Sequence, residues 1–162
     1  MGPPRELAHV VVIGAAGAVG RLFCGVLADA GSELTLVDAA PAAEQQGLGP
    51  YLALDARTPS PELDAALARA DGVLLALPEA VALAVLPRVL TALPAGALLA
   101  DTLSVKTPFA QAVLAARAPI ELCSLNPMFA PSLGFAGRAV LAVALAPGPR
   151  SHALLALLRE HA

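Results

Sequence analysis

The sequence predicts an α/β fold: a mainly parallel sheet with helices on both faces. Three observations predict it. Apolar, β-branched runs alternate with segments of helical spacing along the whole chain. Two of those runs, LAHVVVI over residues 7–13 and GVLLAL over 72–77, are apolar almost without interruption, which suits strands covered on both faces. The residues able to do chemistry (glycines, aspartates, a serine, an asparagine) fall where the strands end, and ligands bind at the carboxyl ends of strands in such sheets. A length of 162 residues fits one domain, 1–162, with a core of its own.

The elements follow in order. After a short polar start over 1–6, residues 7–13 read as the first buried strand. A glycine-rich turn, Gly14 to Gly20, leads into a helix over 21–30, where Leu22, Phe23, Val26 and Leu27 recur at helical spacing and Gly31 closes the last turn. Residues 33–37 form a strand ending at Asp38, 39–50 a loop, and 51–54 a short strand. Pro61 opens a helix over 61–69 with Glu62 in its first turn, where a carboxylate suits the helix dipole. The strand over 72–77 is stopped by Pro78, and 79–90 is helical. A strand over 97–100 ends at Asp101, and Pro108 is tolerated in the first turn of a helix over 107–117. Residues 120–125 form a strand ending at Asn126, 138–145 the last strand and 151–161 the last helix.

Composition excludes several classes of function. The chain is 57% hydrophobic, but its apolar residues are mostly Ala, Leu and Val in short runs. None reaches the ~18 to 20 uninterrupted apolar residues of a membrane span; the longest, 72–86, is broken by Pro78 and Glu79. The start lacks the basic end, apolar stretch and cleavage site of a signal peptide, so a cytoplasmic location is expected. With a net charge of −3, 3% aromatic residues and no Lys/Arg cluster, no nucleic-acid partner is expected. Cys24 and Cys123 sit in helical and strand patterns as small buried hydrophobes, and His9, His152 and His161 lack ligand spacing; no disulfide and no metal site is expected.

The glycine turn follows a strand and opens a helix, which is the context of a dinucleotide-binding Rossmann fold. Its spacing is G-x-x-G-x-x-G, with Ala15 where the strict motif has its first glycine. Gly14, Ala16 and Gly17 bring the backbone close to a diphosphate, Gly20 lets helix and strand approach, and the amides of Ala18, Val19 and Gly20 at the helix N-terminus favour its charge. Asp38 stands at the end of the second strand, near the spacing expected of the acid that binds a ribose 2′-hydroxyl. A carboxylate there repels a 2′-phosphate, and no arginine follows directly, so the expected cofactor is NAD. Leu77 and Pro78, and further on Pro127 and Met128, end two other strands at the same edge and complete the expected cofactor contacts.

Two further segments are specific. Asp101 to Lys106 reads D-T-L-S-V-K, and Leu125 to Pro131 reads L-N-P-M-F-A-P. With the glycine turn, they resemble the D-x-x-S-V-K and L-H-P-M-F-G-P segments of the prephenate dehydrogenase family, and the resemblance extends from Val10 to about Leu158. It implies an NAD-dependent oxidative decarboxylation of a cyclohexadiene, as in tyrosine and other aromatic amino-acid biosynthesis. It implies that Ser104 bonds the substrate's reacting hydroxyl and helps orient the nicotinamide. Lys106 is a further catalytic candidate, set against a merely solvated lysine, and Ser104 can alternatively cap the helix that follows.

The family has a histidine where this chain has Asn126. Imidazole takes a proton near neutral pH; an amide hydrogen-bonds but does not usefully protonate. Three readings stay open. The substrate carries an amine, as in a 4-amino-4-deoxyprephenate, whose own lone pair drives hydride out while Asn126 bonds it. Alternatively it is prephenate or arogenate, with another group or water as base. Or the chain binds NAD without catalysis. Ala130 also replaces the family's glycine. The resemblance further implies a helical domain beyond this point that dimerises the enzyme and supplies an arginine for the substrate's carboxylate; a truncated sequence, a fragment completed by a partner chain and a free-standing cofactor module stay open, and the apolar composition suits a homodimer.

Overall fold

The computed structural model describes residues 6–42 and 47–162; residues 1–5 and 43–46, in the expected polar start and the expected loop over 39–50, lie outside the described residues. The elements are β1 (His9–Ile13), α1 (Ala18–Asp29), β2 (Glu33–Asp38), β3 (Tyr51–Ala53), α2 (Pro61–Ala68), β4 (Gly72–Leu75), α3 (Glu79–Ala92), β5 (Leu98–Asp101), α4 (Thr107–Ala116), β6 (Glu121–Pro127), β7 (Val140–Ala146) and α5 (Pro149–His161). One sheet runs in the order β3-β2-β1-β4-β5-β6-β7. The chain therefore winds outward from β1 in one direction and from β4 in the other, which makes it a Rossmann-type doubly wound fold with its switch point between β1 and β4.

Alternate strand residues feed two cores. Val11, Ile13, Val73, Leu75 and Leu99 pack with α2, α3 and α4 on one face. Val10, Val12, Leu74, Leu98 and Cys123 pack with α1 and α5 on the other. This is why the central strands lack an apolar–polar alternation: both of their faces are interior.

The structure amends the expectation at several points. β7 pairs antiparallel to β6, so the sheet is parallel only through β6. The cause is the connection: residues 128–139 hold a short 3-10 turn at Pro131–Leu133 and no crossover helix, and without a crossover the next strand returns antiparallel. α1 starts at Ala18, inside the expected turn, and α5 at Pro149, which occupies the first helical position where its missing N–H is no loss. β4 stops at Leu75, two residues short of the expected end. Gly31 follows a cap at Ala30 in a left-handed conformation, φ 81°; its N–H reaches Ala28 O at 2.8 Å and that of Ser32 reaches Leu27 O at 3.0 Å, a Schellman closure.

Candidate functional site

The strand ends are level with one another. Val37, Ile13, Leu75, Asp101 and Ser124 are successive partners across β2, β1, β4, β5 and β6. The glycine turn, Asp38, Leu77-Pro78, the segment 101–106 and Asn126 therefore leave the sheet at one edge. Sequence reasoning placed all of them there.

At the β1–β2 corner the site is made of main chain. The N–H groups of Gly14 and Ala15 both donate to Val37 O, at 2.8 and 3.1 Å. Gly14 has φ 89°, and a Cβ on it would stand 2.1 Å from Ala76 O and 3.2 Å from a Leu77 methyl, so the turn leans directly on the end of β4. A Cβ on Gly20 would stand 2.0 Å from Gly14 O; the helix starts against the turn as the sequence reading required. Gly17 differs. Its backbone is extended at φ −68°, and the nearest atom to an added Cβ is Gly14 O at 3.4 Å, ordinary contact. Among the described residues no neighbour demands a glycine at this exposed position, which leaves the space beside it bare. The amides of Ala18, Val19 and Gly20 precede the first intrahelical bond, Arg21 N–H to Gly17 O at 2.9 Å, and so lie at the positive end of the helix.

Asp38 is fixed against this turn. One carboxylate oxygen accepts the Ala16 N–H and the other the Ala40 N–H, each at 2.9 Å. Each oxygen keeps further acceptor capacity, as a ribose hydroxyl requires. The Tyr51 hydroxyl donates to Ala40 O at 2.6 Å, steadying the loop after β2; burial, then the nearby Asp38 charge, raises its pKa above the usual tyrosine value. This corner fits a dinucleotide: bare backbone at Gly17, a helix N-terminus, and a carboxylate held one turn away.

At the β5–β6 corner the site is made of side chains. Asp101 and Ser124 are each 1% exposed. The Ser124 hydroxyl donates to Asp101 Oδ1 at 2.7 Å, and the same oxygen accepts the Leu103 N–H at 3.0 Å. The Lys106 ammonium donates to Leu103 O at 2.6 Å, Ser124 Oγ at 2.8 Å and Leu125 O at 3.0 Å. Burial raises the Asp101 pKa against the opposing pull of Ser124, the Leu103 amide and Lys106. Burial likewise lowers that of Lys106, and the Asp101 charge pulls it back. Ser124 was not singled out from sequence. The signal available was a hydroxyl inside the otherwise apolar ELCSL run, a position that needs a partner once the strand is buried.

Ser104 is exposed on the turn after β5. It does not cap α4: Lys106 is the N-cap residue, and no side-chain cap bond is made. Asn126 lies half-buried near the end of β6, its Nδ2 donating to Met128 Sδ at 3.4 Å. Pro127 pairs with Val140, and Met128 is 64% exposed. Phe129 packs edge-on to Phe135 at 5.6 Å, and Phe135 to Phe23 of α1 at 5.3 Å, so the phenylalanine of the N-P-M-F segment anchors the loop that presents Met128. Burial pushes the Cys24 thiol up to about 12 and that of Cys123 to about 11, which leaves neither as a ready nucleophile. Among the described residues no group of three or more His, Cys, Asp or Glu side chains could hold a metal, and no helix is long and apolar enough to cross a membrane.

Comparison with known proteins agrees with the motifs. No family model matches the chain. A 4-amino-4-deoxyprephenate dehydrogenase from Streptomyces pristinaespiralis is 46% identical over 148 residues, covering 91% of this chain and 50% of that protein. The resemblance read from the three motifs is thus shown, and the chain spans about half the length of the curated relative it matches. Solved structures share the fold. A variant imine reductase from Myxococcus stipitatus in complex with NAD+ superposes with a TM-score of 0.69 at 24% identity, over 93% of this chain and 51% of that one. A 3-hydroxyisobutyrate dehydrogenase from Salmonella typhimurium gives 0.71 at 16% identity, over 95% and 53%. A glycerol-3-phosphate dehydrogenase from Coxiella burnetii gives 0.69 at 16% identity, over 94% and 51%.

Proposed function

We propose that this chain binds NAD at the glycine turn and serves the oxidative decarboxylation of a prephenate-like cyclohexadiene that carries an amine on the reacting carbon. The observation that carries the amine reading is Asn126. It stands at the strand end where a proton acceptor is implied, and an amide there suits a substrate that supplies its own electron pair. The name of the 46% identical relative supports the same substrate.

Bound NAD supplies a hydride acceptor. The amides of Ala18, Val19 and Gly20 would hold its diphosphate, and Asp38 would accept from a ribose hydroxyl while repelling a 2′-phosphate. Leu77 and Pro78, with Pro127 and Met128, would complete the cofactor contacts from the neighbouring strand ends. Ser104 and Asn126 would bond the amine and hold its lone pair parallel to the C–H bond that breaks. The C–H bond there breaks with its electron pair, the neutral amine forms an iminium, and the ring carboxylate leaves as carbon dioxide, its bonding pair restoring a neutral aromatic amine. No enzyme base is needed once the amine is neutral. For a hydroxyl substrate, loss of the base costs about 10²- to 10⁴-fold.

The test is NADH formation from NAD with prephenate and with its 4-amino analogue, NAD affinity being measured by calorimetry. Turnover of the analogue at least about 10²-fold faster than prephenate is expected. Asn126→His should raise the prephenate rate by a comparable factor. Faster oxidation of prephenate by the unaltered chain would overturn the amine reading. NAD binding without turnover of either compound would assign the alternative, a non-catalytic NAD-binding module or a cofactor half whose remaining residues, including the arginine for the substrate carboxylate, come from a partner domain.

A further inference from the structure

We propose that Lys106, Ser124 and Asp101 form a positioning clamp that fixes Ser104 and Asn126 relative to each other, so that Lys106 acts through these two residues without touching the substrate. The proposal rests on the reading of Ser104 and Asn126 as substrate-side residues. The geometry carries it. An ammonium has three N–H donors, and the three here meet Leu103 O, Ser124 Oγ and Leu125 O within 3.0 Å. Leu103 O belongs to the peptide that joins Leu103 to Ser104. Leu125 O belongs to the peptide that joins Leu125 to Asn126. One cation therefore grips the peptide plane immediately before each candidate residue, although one lies on the turn after β5 and the other on β6. Ser124 and Asp101 close the arrangement, since the Oδ1 that accepts the Ser124 hydroxyl also holds the Leu103 amide.

The electrostatics argue that this network is kept for geometry. Burial disfavours the charge on both Asp101 and Lys106. Buried charges of this kind contribute little net stability compared with apolar packing, but they fix one arrangement of the groups they bond. Ser104 and Val105 are exposed, and Lys106 is what ties their turn to β6. Misplacement of a reacting group by about 1 Å can cost about 10²-fold in rate.

The experiment compares Lys106→Met and Ser124→Ala with the unaltered chain by hydrogen exchange, NAD affinity and steady-state kinetics on the 4-amino analogue. Lys106→Met should speed exchange about tenfold or more at the Leu103 amide, which is bonded to Asp101, and together with it at Asn126 and Met128. Strands β1 and β4 should stay protected, and NAD affinity should change by less than about threefold, since the glycine turn is untouched. kcat should fall about 10²-fold with a much smaller change in KM. Ser124→Ala should loosen the same two segments to a lesser degree. A rise in KM with exchange unchanged would overturn the proposal by making Lys106 a substrate ligand. Faster exchange throughout the sheet would overturn it by making the network a general stabiliser. The exchange measurement needs no turnover: coupled loosening in a chain that oxidises neither substrate would sustain the clamp while sinking the proposed function.

Discussion

The β1–β2 corner and the β5–β6 corner end at the same level of one sheet and are built from different materials. The first is main chain: two amides on one carbonyl, glycines where a Cβ would strike backbone, and one carboxylate accepting from the turn. The second is an ammonium, a hydroxyl and a carboxylate, bonded to one another behind two exposed or half-buried residues. The difference follows from what each corner faces. A diphosphate is bound by unobstructed amides, so side chains must be kept away from it. Recognition of one substituent on a ring needs side chains, and side chains hold a fixed direction only when other groups hold them.

The sharpest way to break this contrast is to add one carbon to the main-chain corner. In Gly20→Ala the new methyl would lie 2.0 Å from Gly14 O, an atom that cannot swing aside. A loss of about 3 kcal/mol or more in urea unfolding is expected, with NAD affinity falling alongside. Gly17→Ala is the partner measurement. It has room within the protein, so it should fold with near-normal stability and lose NAD affinity alone. Equal stability losses in the two variants would remove the argument that Gly17 is bare for a ligand.

The two corners also differ in how far they can be read without coordinates. The glycine turn, the acid at the end of β2 and the order of strands and helices are local patterns, and each is where its spacing placed it. The antiparallel β7 depends on the path of residues 128–139, which periodicity does not describe. The Lys106–Ser124 contact depends on the register of β5 against β6, which pairs Asp101 with Ser124 across 23 residues of chain. A motif ending in lysine suggested a catalytic cation. Only the register shows that its three donors are spent on the protein.

A smaller effect distinguishes the corners by pH. The raised pKa of Asp101 means that the folded chain holds this proton more firmly than the unfolded one. Its contribution to stability is fully present below the ordinary carboxylate pKa and is lost as pH rises through the raised value. Lys106, with its lowered pKa, contributes stability that is present above the ordinary lysine value and is lost as pH falls through the lowered one. The pair thus stabilises least where both are charged. In Asp101→Asn the loss of stability toward acid pH should steepen, because the group that opposes the loss from carboxyls of lowered pKa, such as Asp55 and Asp71, is gone; urea unfolding over a pH series would show it. An unchanged slope would mean that other carboxylates set it.

The smallest effect comes from two helix ends. α1, in the main-chain half, passes into a left-handed residue at Gly31, φ 81°; α4, in the side-chain half, does the same at Arg117, φ 51°, the one non-glycine with positive φ among the described residues. An L-residue with a Cβ is strained there, by roughly 1–2 kcal/mol, while glycine loses part of that advantage through its freer unfolded chain. Arg117→Gly should therefore stabilise by about 0.5 to 1 kcal/mol, and Gly31→Ala should destabilise by a similar amount. Arg117 ends the helix that runs from the Lys106 turn back to β6. If Arg117→Gly raises the melting temperature and leaves exchange at Leu103 and Asn126 unchanged, the far end of α4 and the clamp at its start are energetically separate, and the order at the β5–β6 corner comes from Lys106, Ser124 and Asp101 alone.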